Sequence, residues 1–328
     1  MAASATVAVG GAETSSVLIT SRIATMVSSP TKASPDAAAR EALLAWFWVE
    51  GSGYPWRATR DPYAVLVSEF MLQQTQATSV AEALPPFHRR FPDVRALARA
   101  TPADVLRAWQ GLGYNRRAVH LHRAARAIVE RYAGQVPADP ASLGSLPGVG
   151  PYTAAAVASI AFGVPVAAVD TNVRRVVARL ALGREPLDVP AAAVEGAASS
   201  WLDPDAPGAW NQGLMDLGRF VCRPVPRCPA CPLAAECRSR ARGRVATGRV
   251  YGRRAAAPES FRGSMRQVRG GLVRELARRS AAVGPATLAA GLGLSRERVD
   301  AAAAALEREG LVEITPSGRL RLRTSERG

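Results

Sequence analysis

The chain has 328 residues, 48% of them apolar, which is enough for two or three domains with buried cores and excludes a disordered or collagen-like chain. No run approaches the roughly 18 apolar residues of a membrane helix, and the first residues lack the basic start and apolar core of a signal peptide. The formal charge is +15 with Lys32 as the only lysine, an arginine excess that favours a polyanionic partner, nucleic acid first.

Residues 1–35 are rich in Ala, Ser and Thr and read as a disordered extension. From 36 to 240, apolar residues recur at helical spacing between Pro and Gly breaks. The pattern predicts helices near 36–50, 62–78, 102–109, 115–132, 152–162, 171–182, 190–202 and 208–220, an all-α core. On the second of these, Glu69 shares a stripe with Val65, Leu66 and Leu72. A carboxyl among such neighbours has a raised pKa, and a protonated acid beside an ionised one is what acid-assisted glycosidic cleavage requires. The plain alternative is a solvated glutamate, disfavoured by the apolar turns around it.

Leu146-Pro147-Gly148-Val149-Gly150 precedes Pro151 and a helical run. Its glycines permit a tight hairpin whose N–H groups can approach an anion, and the following helix start favours negative charge. This is a helix-hairpin-helix signature, able to grip a phosphate without reading sequence, with a simple helical corner as the alternative. Asp170 stands at the N-cap of the next helix, where it is expected to remain ionised; it is either a cap alone or an anion placed to stabilise a forming cation. Cys222, Cys228, Cys231 and Cys237 fall within 16 residues and fit an iron–sulfur cluster better than structural zinc, which usually uses two separated CxxC knuckles.

Residues 241–260 form a basic linker. Within 261–328 the pattern predicts helices near 265–279, 285–291 and 295–308, with Gly293 in a turn and Ser295 as an N-cap. Strands at 311–315 and 319–323 complete a small winged-helix-like domain, a module that contacts either DNA or protein partners.

YPWRATRDPYAV, SEFMLQQTQ, WQGLGY, LPGVGPYTAAAV, VDTNVRRV, NQGLMDLG and the cysteine run occur in that order. Together they resemble the adenine DNA glycosylase (MutY) family of the endonuclease III superfamily over residues 36–240. The resemblance implies a helix-hairpin-helix glycosylase fold of two helical subdomains with an iron–sulfur loop at 222–237. It implies a monomeric base-excision repair enzyme, cytoplasmic and nucleoid-associated, that flips adenine out of double-stranded DNA opposite 8-oxoguanine or guanine and hydrolyses its glycosidic bond.

In that family likeness Glu69 is the general acid and Asp170 stabilises the oxocarbenium ion, with Tyr152 and Asn172 supporting that centre. Gln212 reads the adenine edge, Trp56, Arg57 and Leu72 wall the pocket, and Gln73 joins the substrate-binding set. Gln74 and Tyr114 intrude into the base stack, and Leu146, Gly148, Val149 and Gly150 hold phosphate. The four cysteines match ligands of a [4Fe–4S] cluster, expected to be structural and to order the loop that carries Arg223 and Arg227. Tyr152 stands where bifunctional relatives carry a Schiff-base lysine, and with Lys32 the only lysine, strand cleavage through an amine is excluded.

The likeness has departures. The first cysteine gap is one residue shorter than usual in the family, and Asn115 replaces a second tyrosine. The tail is not the Nudix-like domain of many relatives; FRGSMRQVRGGLVREL resembles the tails of actinobacterial adenine glycosylases. Two other readings stand beside this one. A thymine–guanine mismatch glycosylase shares Tyr152 and Asp170, but Glu69 in LQQTQ and Gln212 favour adenine. A non-enzymatic iron–sulfur regulator explains the cysteines and tail but not the grouping of Glu69, Tyr152 and Asp170. His88, His120 and His122 form no ligand set, and His120 and His122 point apart on a helix.

Overall fold

A computed structural model of the chain describes residues 35–51, 53–243 and 261–325. The extension expected at 1–35 and the linker expected at 241–260 lie almost wholly outside the described residues. Helix α1 (Pro35–Glu50) leads through a 3-10 turn at Pro55–Arg57 into α2 (Pro62–Leu72), α3 (Ala77–Arg90), α4 (Val94–Arg99), α5 (Pro102–Ala108) and α6 (Arg116–Arg131). Next come α7 (Pro140–Gly144), α8 (Pro151–Phe162), α9 (Thr171–Leu180), α10 (Ala191–Trp201) and α11 (Pro207–Phe220). The cysteine loop and the short α12 (Arg238–Ala241) follow.

Local chemistry sets many of these boundaries. Asp61, Asp93, Thr101 and Asp139 each accept a backbone N–H from the first turn of the helix they precede, and proline occupies the first positions of α2, α5, α7 and α8. Gly163 closes α8 at φ +70°, a left-handed conformation suited to glycine.

The continuous helix expected over 62–78 divides. Helix α2 stops at Leu72 and α3 starts at Ala77, because the Arg117 guanidinium occupies the carbonyl oxygens of Phe70 and Met71, each at 2.8 Å. A continuing helix would bond those oxygens to the N–H groups four residues ahead. The unanticipated α3 carries Pro85 and Pro86 inside it, residues that read in sequence as helix breakers.

Two apolar cores result. Helices α2 to α6 and α8 build the first, around Phe70, Leu106, Trp109, Leu121 and Ile128. Helices α1 and α9 to α11 build the second, around Leu43, Val176, Trp210 and Leu217, and Leu233 of the cysteine loop joins it.

The tail has the expected order: α13 (Met265–Ala277), α14 (Pro285–Leu292), α15 (Arg296–Arg308), β1 (Val312–Ile314) and β2 (Leu320–Leu322). The strands pair antiparallel in the register Val312↔Leu322, Glu313↔Arg321 and Ile314↔Leu320. Gly293 adopts φ +62° between α14 and α15; Ser295 occupies the N-cap position, but its side chain makes no capping bond. Leu272, Val273, Leu320 and Leu322 are continuous with the first core, and Arg107 of α5 donates to the Arg279 carbonyl at 3.4 Å. The tail is therefore docked on the first subdomain.

Leu272 is fully buried at the centre of the tail. Leu272→Ala is expected to cost about 2–5 kcal/mol in urea unfolding, through lost burial and the cavity left behind.

Candidate active site

A cleft of about 1120 Å³ opens between α2, the loop preceding α6, the start of α8, the start of α9 and the tail. Of the sequence-predicted residues, it brings together Glu69, Leu72, Gln73, Gln74, Tyr114, Gly148, Tyr152 and Asp170.

Glu69 sits on α2 and is 5% exposed. Its Oε2 has no hydrogen-bond partner. Burial pushes its carboxyl up to about 7 and the charge of Asp170 adds to the rise, while Arg57 and the Tyr152 hydroxyl pull the other way. Tyr152, in the first turn of α8, lies within hydrogen-bonding reach of Glu69, and its hydroxyl also donates to Met215 Sδ at 3.4 Å. Burial and the two neighbouring carboxylates hold the Tyr152 phenol well above its ordinary range, hence neutral.

Asp170 is the N-cap of α9. Its Oδ1 accepts the Val173 N–H at 2.7 Å, and its Oδ2 accepts from Asn172 Nδ2 at 3.0 Å. Asn172 in turn accepts from Arg175 Nη2 at 2.9 Å, and Arg175 donates to the carbonyls of Cys222 at 2.8 Å and Gly218 at 2.7 Å. A string of hydrogen bonds thus runs from the cleft to the cysteine loop. Asn172 itself stands behind Asp170 and not on the cleft wall.

Trp56, Arg57 and Gln212 also stand off the cleft wall. Trp56 is buried and stacked on Tyr54, ring centroids 4.7 Å apart, while Gln212 is buried on α11. Arg57 pairs with Asp216 at 2.9 Å, an acid inside NQGLMDLG that the sequence reading passed over. Asp216 is 2% exposed, so the pair is sheltered from water and keeps a positive charge near Glu69.

Two exposed residues on the cleft wall are held in unusual backbone. Gln74 has φ +57° and Tyr114 φ +43°; both are exposed, and Gln73 donates to Thr153 Oγ1 at 3.3 Å. Arg117 joins the two loops. Besides the α2 carbonyls it donates to Thr75 Oγ1 at 2.7 Å and to the carbonyls of Leu112 and Gly113 at 3.2 Å. Nothing in local spacing marked it among neighbouring arginines.

In the hairpin, Leu146 and Val149 are buried anchors, and Gly148 has φ +79°. A Cβ on Gly148 would stand 2.5 Å from His120 Cβ, so both the backbone and the close approach require glycine. His120 therefore borders the cleft, while His122 is buried against the Ala100 carbonyl, as their opposed directions on the helix imply.

The four cysteines are free thiols lining one small cavity of about 40 Å³ with Arg179 and Val221. Among the described residues, no three His, Cys, Asp or Glu side chains are gathered tightly enough to hold a single metal ion. Burial raises the Cys222 thiol and pushes Cys231 up to about 11. Arg179 stands 3.7 Å from Cys222 Sγ and donates to the Arg223 carbonyl at 2.7 Å and the Pro224 carbonyl at 3.1 Å, bracing the loop. Among the described residues no helix is long and apolar enough to cross a membrane.

Residues 67–196 match the family described as HhH-GPD superfamily base excision DNA repair protein. The chain is 40% identical over 284 residues to the adenine DNA glycosylase of Mycolicibacterium smegmatis, covering 85% of this chain and 94% of that one. It is 47% identical over 195 residues to that of Mycobacterium tuberculosis, spanning 58% of this chain but 64% of the relative. Among solved structures, a thermostable thymine-DNA glycosylase superposes with a TM-score of 0.59 at 29% identity, over 63% of this chain and 97% of that one.

The buried Glu69 carboxyl has a sign that can be checked. Its folded pKa lies above its ordinary value of 4.5, so its favourable contribution is complete below about 4.5 and lost as pH rises to about 7. Glu69→Gln, which removes the cost of burying a charge, is expected to gain stability over wild type between pH 5 and pH 8, by up to the order of 3 kcal/mol in urea unfolding. An unchanged difference across that range contradicts the assignment.

Proposed function

The chain belongs to the adenine DNA glycosylase family of the HhH-GPD superfamily, and from that premise we propose that it excises adenine mispaired with 8-oxoguanine or guanine in double-stranded DNA. The observation that carries this reading is the buried, proton-retaining Glu69 sharing a cleft with Asp170 and with the neutral phenol of Tyr152.

The target base leaves the stack and enters the cleft, a step made cheaper at a mismatch. Glu69 gives its proton to N7 of adenine, so the glycosidic electron pair departs with a neutral base; this is worth about 10²–10⁴-fold. The sugar is left as an oxocarbenium ion, which the side chain of Asp170 stabilises from the same cleft. Water then adds to the sugar carbon, and its proton passes to the Glu69 carboxylate. Tyr152 offers a phenol, not an amine, so no Schiff base forms and the strand stays intact.

Gln74 and Tyr114 are suited to fill the space that the base vacates, and the exposed N–H groups of Gly148 and Gly150 suit a phosphate oxygen. Leu72 walls the adenine pocket, Trp56, Arg57 and Gln212 shape it from behind, and Asp216 keeps Arg57 in place.

The four cysteines hold a [4Fe–4S] cluster in this reading. Four half-buried thiols around one cavity suit it, and the Cys222 and Cys231 thiolates, which burial disfavours, would become stable on binding iron. The group supplies order to a loop that presents Arg223 and Arg227 to solvent. The protein acts as a monomer on DNA in the cytoplasm.

Duplexes carrying A:8-oxoguanine, A:G, T:G or thymine glycol discriminate the readings. Adenine release from the first two is expected, without strand cleavage, falling about 10²-fold or more in Glu69→Gln. Thymine release would support the thymine–guanine alternative. In single turnover the wild-type rate should fall as pH rises through about 7, because only the protonated Glu69 is active. Purified protein should be brown and contain iron, and Cys231→Ser should lose that colour together with thermal stability; zinc without iron overturns the cluster.

A further inference from the structure

The cleft that holds Glu69 and Asp170 has a second wall, and the tail builds it. Phe261, Arg266 and Arg269 face the cleft from one side, opposite Gln74, Tyr114 and His120. Phe261 is 64% exposed, unusual for a large aromatic.

Its loop is nonetheless firmly tied. The Phe261 carbonyl accepts from Ser264 N–H at 3.2 Å and from Ser264 Oγ at 2.8 Å, Gly263 N–H donates to Gln267 at 2.6 Å, and Arg298 donates to the Gly263 carbonyl. An exposed aromatic on a pre-ordered loop needs no ordering when it binds. Arg269 is neutralised by Glu309, whereas Arg266 is exposed and has no ion pair among the described residues.

Helix α15, the second helix of the helix-turn-helix pair, looks different. Arg296, Arg298 and Arg308 are balanced by Glu297, Asp300 and Glu307. Arg296 is spent on Asp300, and Arg298 on the Gly263 carbonyl. Its exposed residues, Arg296, Glu297, Asp300, Ala301 and Arg308, carry balanced charge, a poor match for phosphate.

We infer that the tail grips the same duplex that enters the cleft, through Phe261 and Arg266 ahead of and on α13, and not through α15 in the manner of a helix-turn-helix reader. Arg266 meets a backbone phosphate and Phe261 stacks on or wedges against an exposed base face. This rests on the glycosylase reading above.

Binding of an A:8-oxoguanine duplex is measured by fluorescence anisotropy over a salt series, in the full chain carrying Glu69→Gln so that the substrate stays intact. Adding Phe261→Ala is expected to weaken binding roughly tenfold. Adding Arg266→Ala should reduce the magnitude of the slope of log K against log salt by about one. Arg296→Ala should leave both unchanged. Phe261 and Arg266 are exposed, and unaltered circular-dichroism melting verifies that their variants fold. Unchanged binding and slope in both, or a loss in Arg296→Ala equal to theirs, overturns the inference. Failure of the wild type to release adenine would instead overturn the glycosylase reading.

Discussion

One buried guanidinium organises the wall of the cleft. Arg117 is 9% exposed and satisfies carbonyl oxygens from two separate segments, the end of α2 and the loop before α6, together with the Thr75 hydroxyl. Its own charge is costly to bury, and burial draws its pKa down to about 10, so it remains protonated at neutral pH. Five acceptors offset that cost by replacing the water it has lost. In doing so they end α2 one turn after Glu69 and lock the backbone that presents Gln74 and Tyr114. Glu69, Gln74 and Tyr114 share a single clasp, and their spacing is set by one arginine.

A second set of contacts works the same way on the other half of the cleft. Asp170 is oriented by the Val173 N–H and by Asn172; Asn172 is oriented by Arg175; and Arg175 is held by carbonyls of Gly218 and Cys222. The cysteine loop is therefore mechanically linked to a carboxylate that it never contacts. A structural role for the loop and an effect on chemistry are not alternatives in such an arrangement.

Much of this was legible in the chain. The helical period placed most helices within a residue or two, and glycine and proline marked the hairpin. The apolar stripe around Glu69 pointed correctly to a buried acid. What escaped notice was long-range. Arg117 reads as one more arginine in a basic helix, because its partners lie more than 40 residues away in part. Asp216 reads as the polar side of an amphipathic helix until Arg57 arrives from across the fold. Helix α3 hid behind Pro85 and Pro86, and the break at Gln73–Gln76 depends on carbonyls captured from elsewhere. Local propensity carries no information about such captures. The actual orientation of the tail against α5 belongs to the same class, since it is decided by apolar surfaces distant in sequence.

The division into two cores has a further meaning for the pair of carboxyl groups. Glu69 belongs to a helix rooted in the first core, and Asp170 caps a helix rooted in the second. The two carboxyl groups thus stand on separately packed helices, like the two arms of a calliper. Their separation is a property of how the two cores seat against each other.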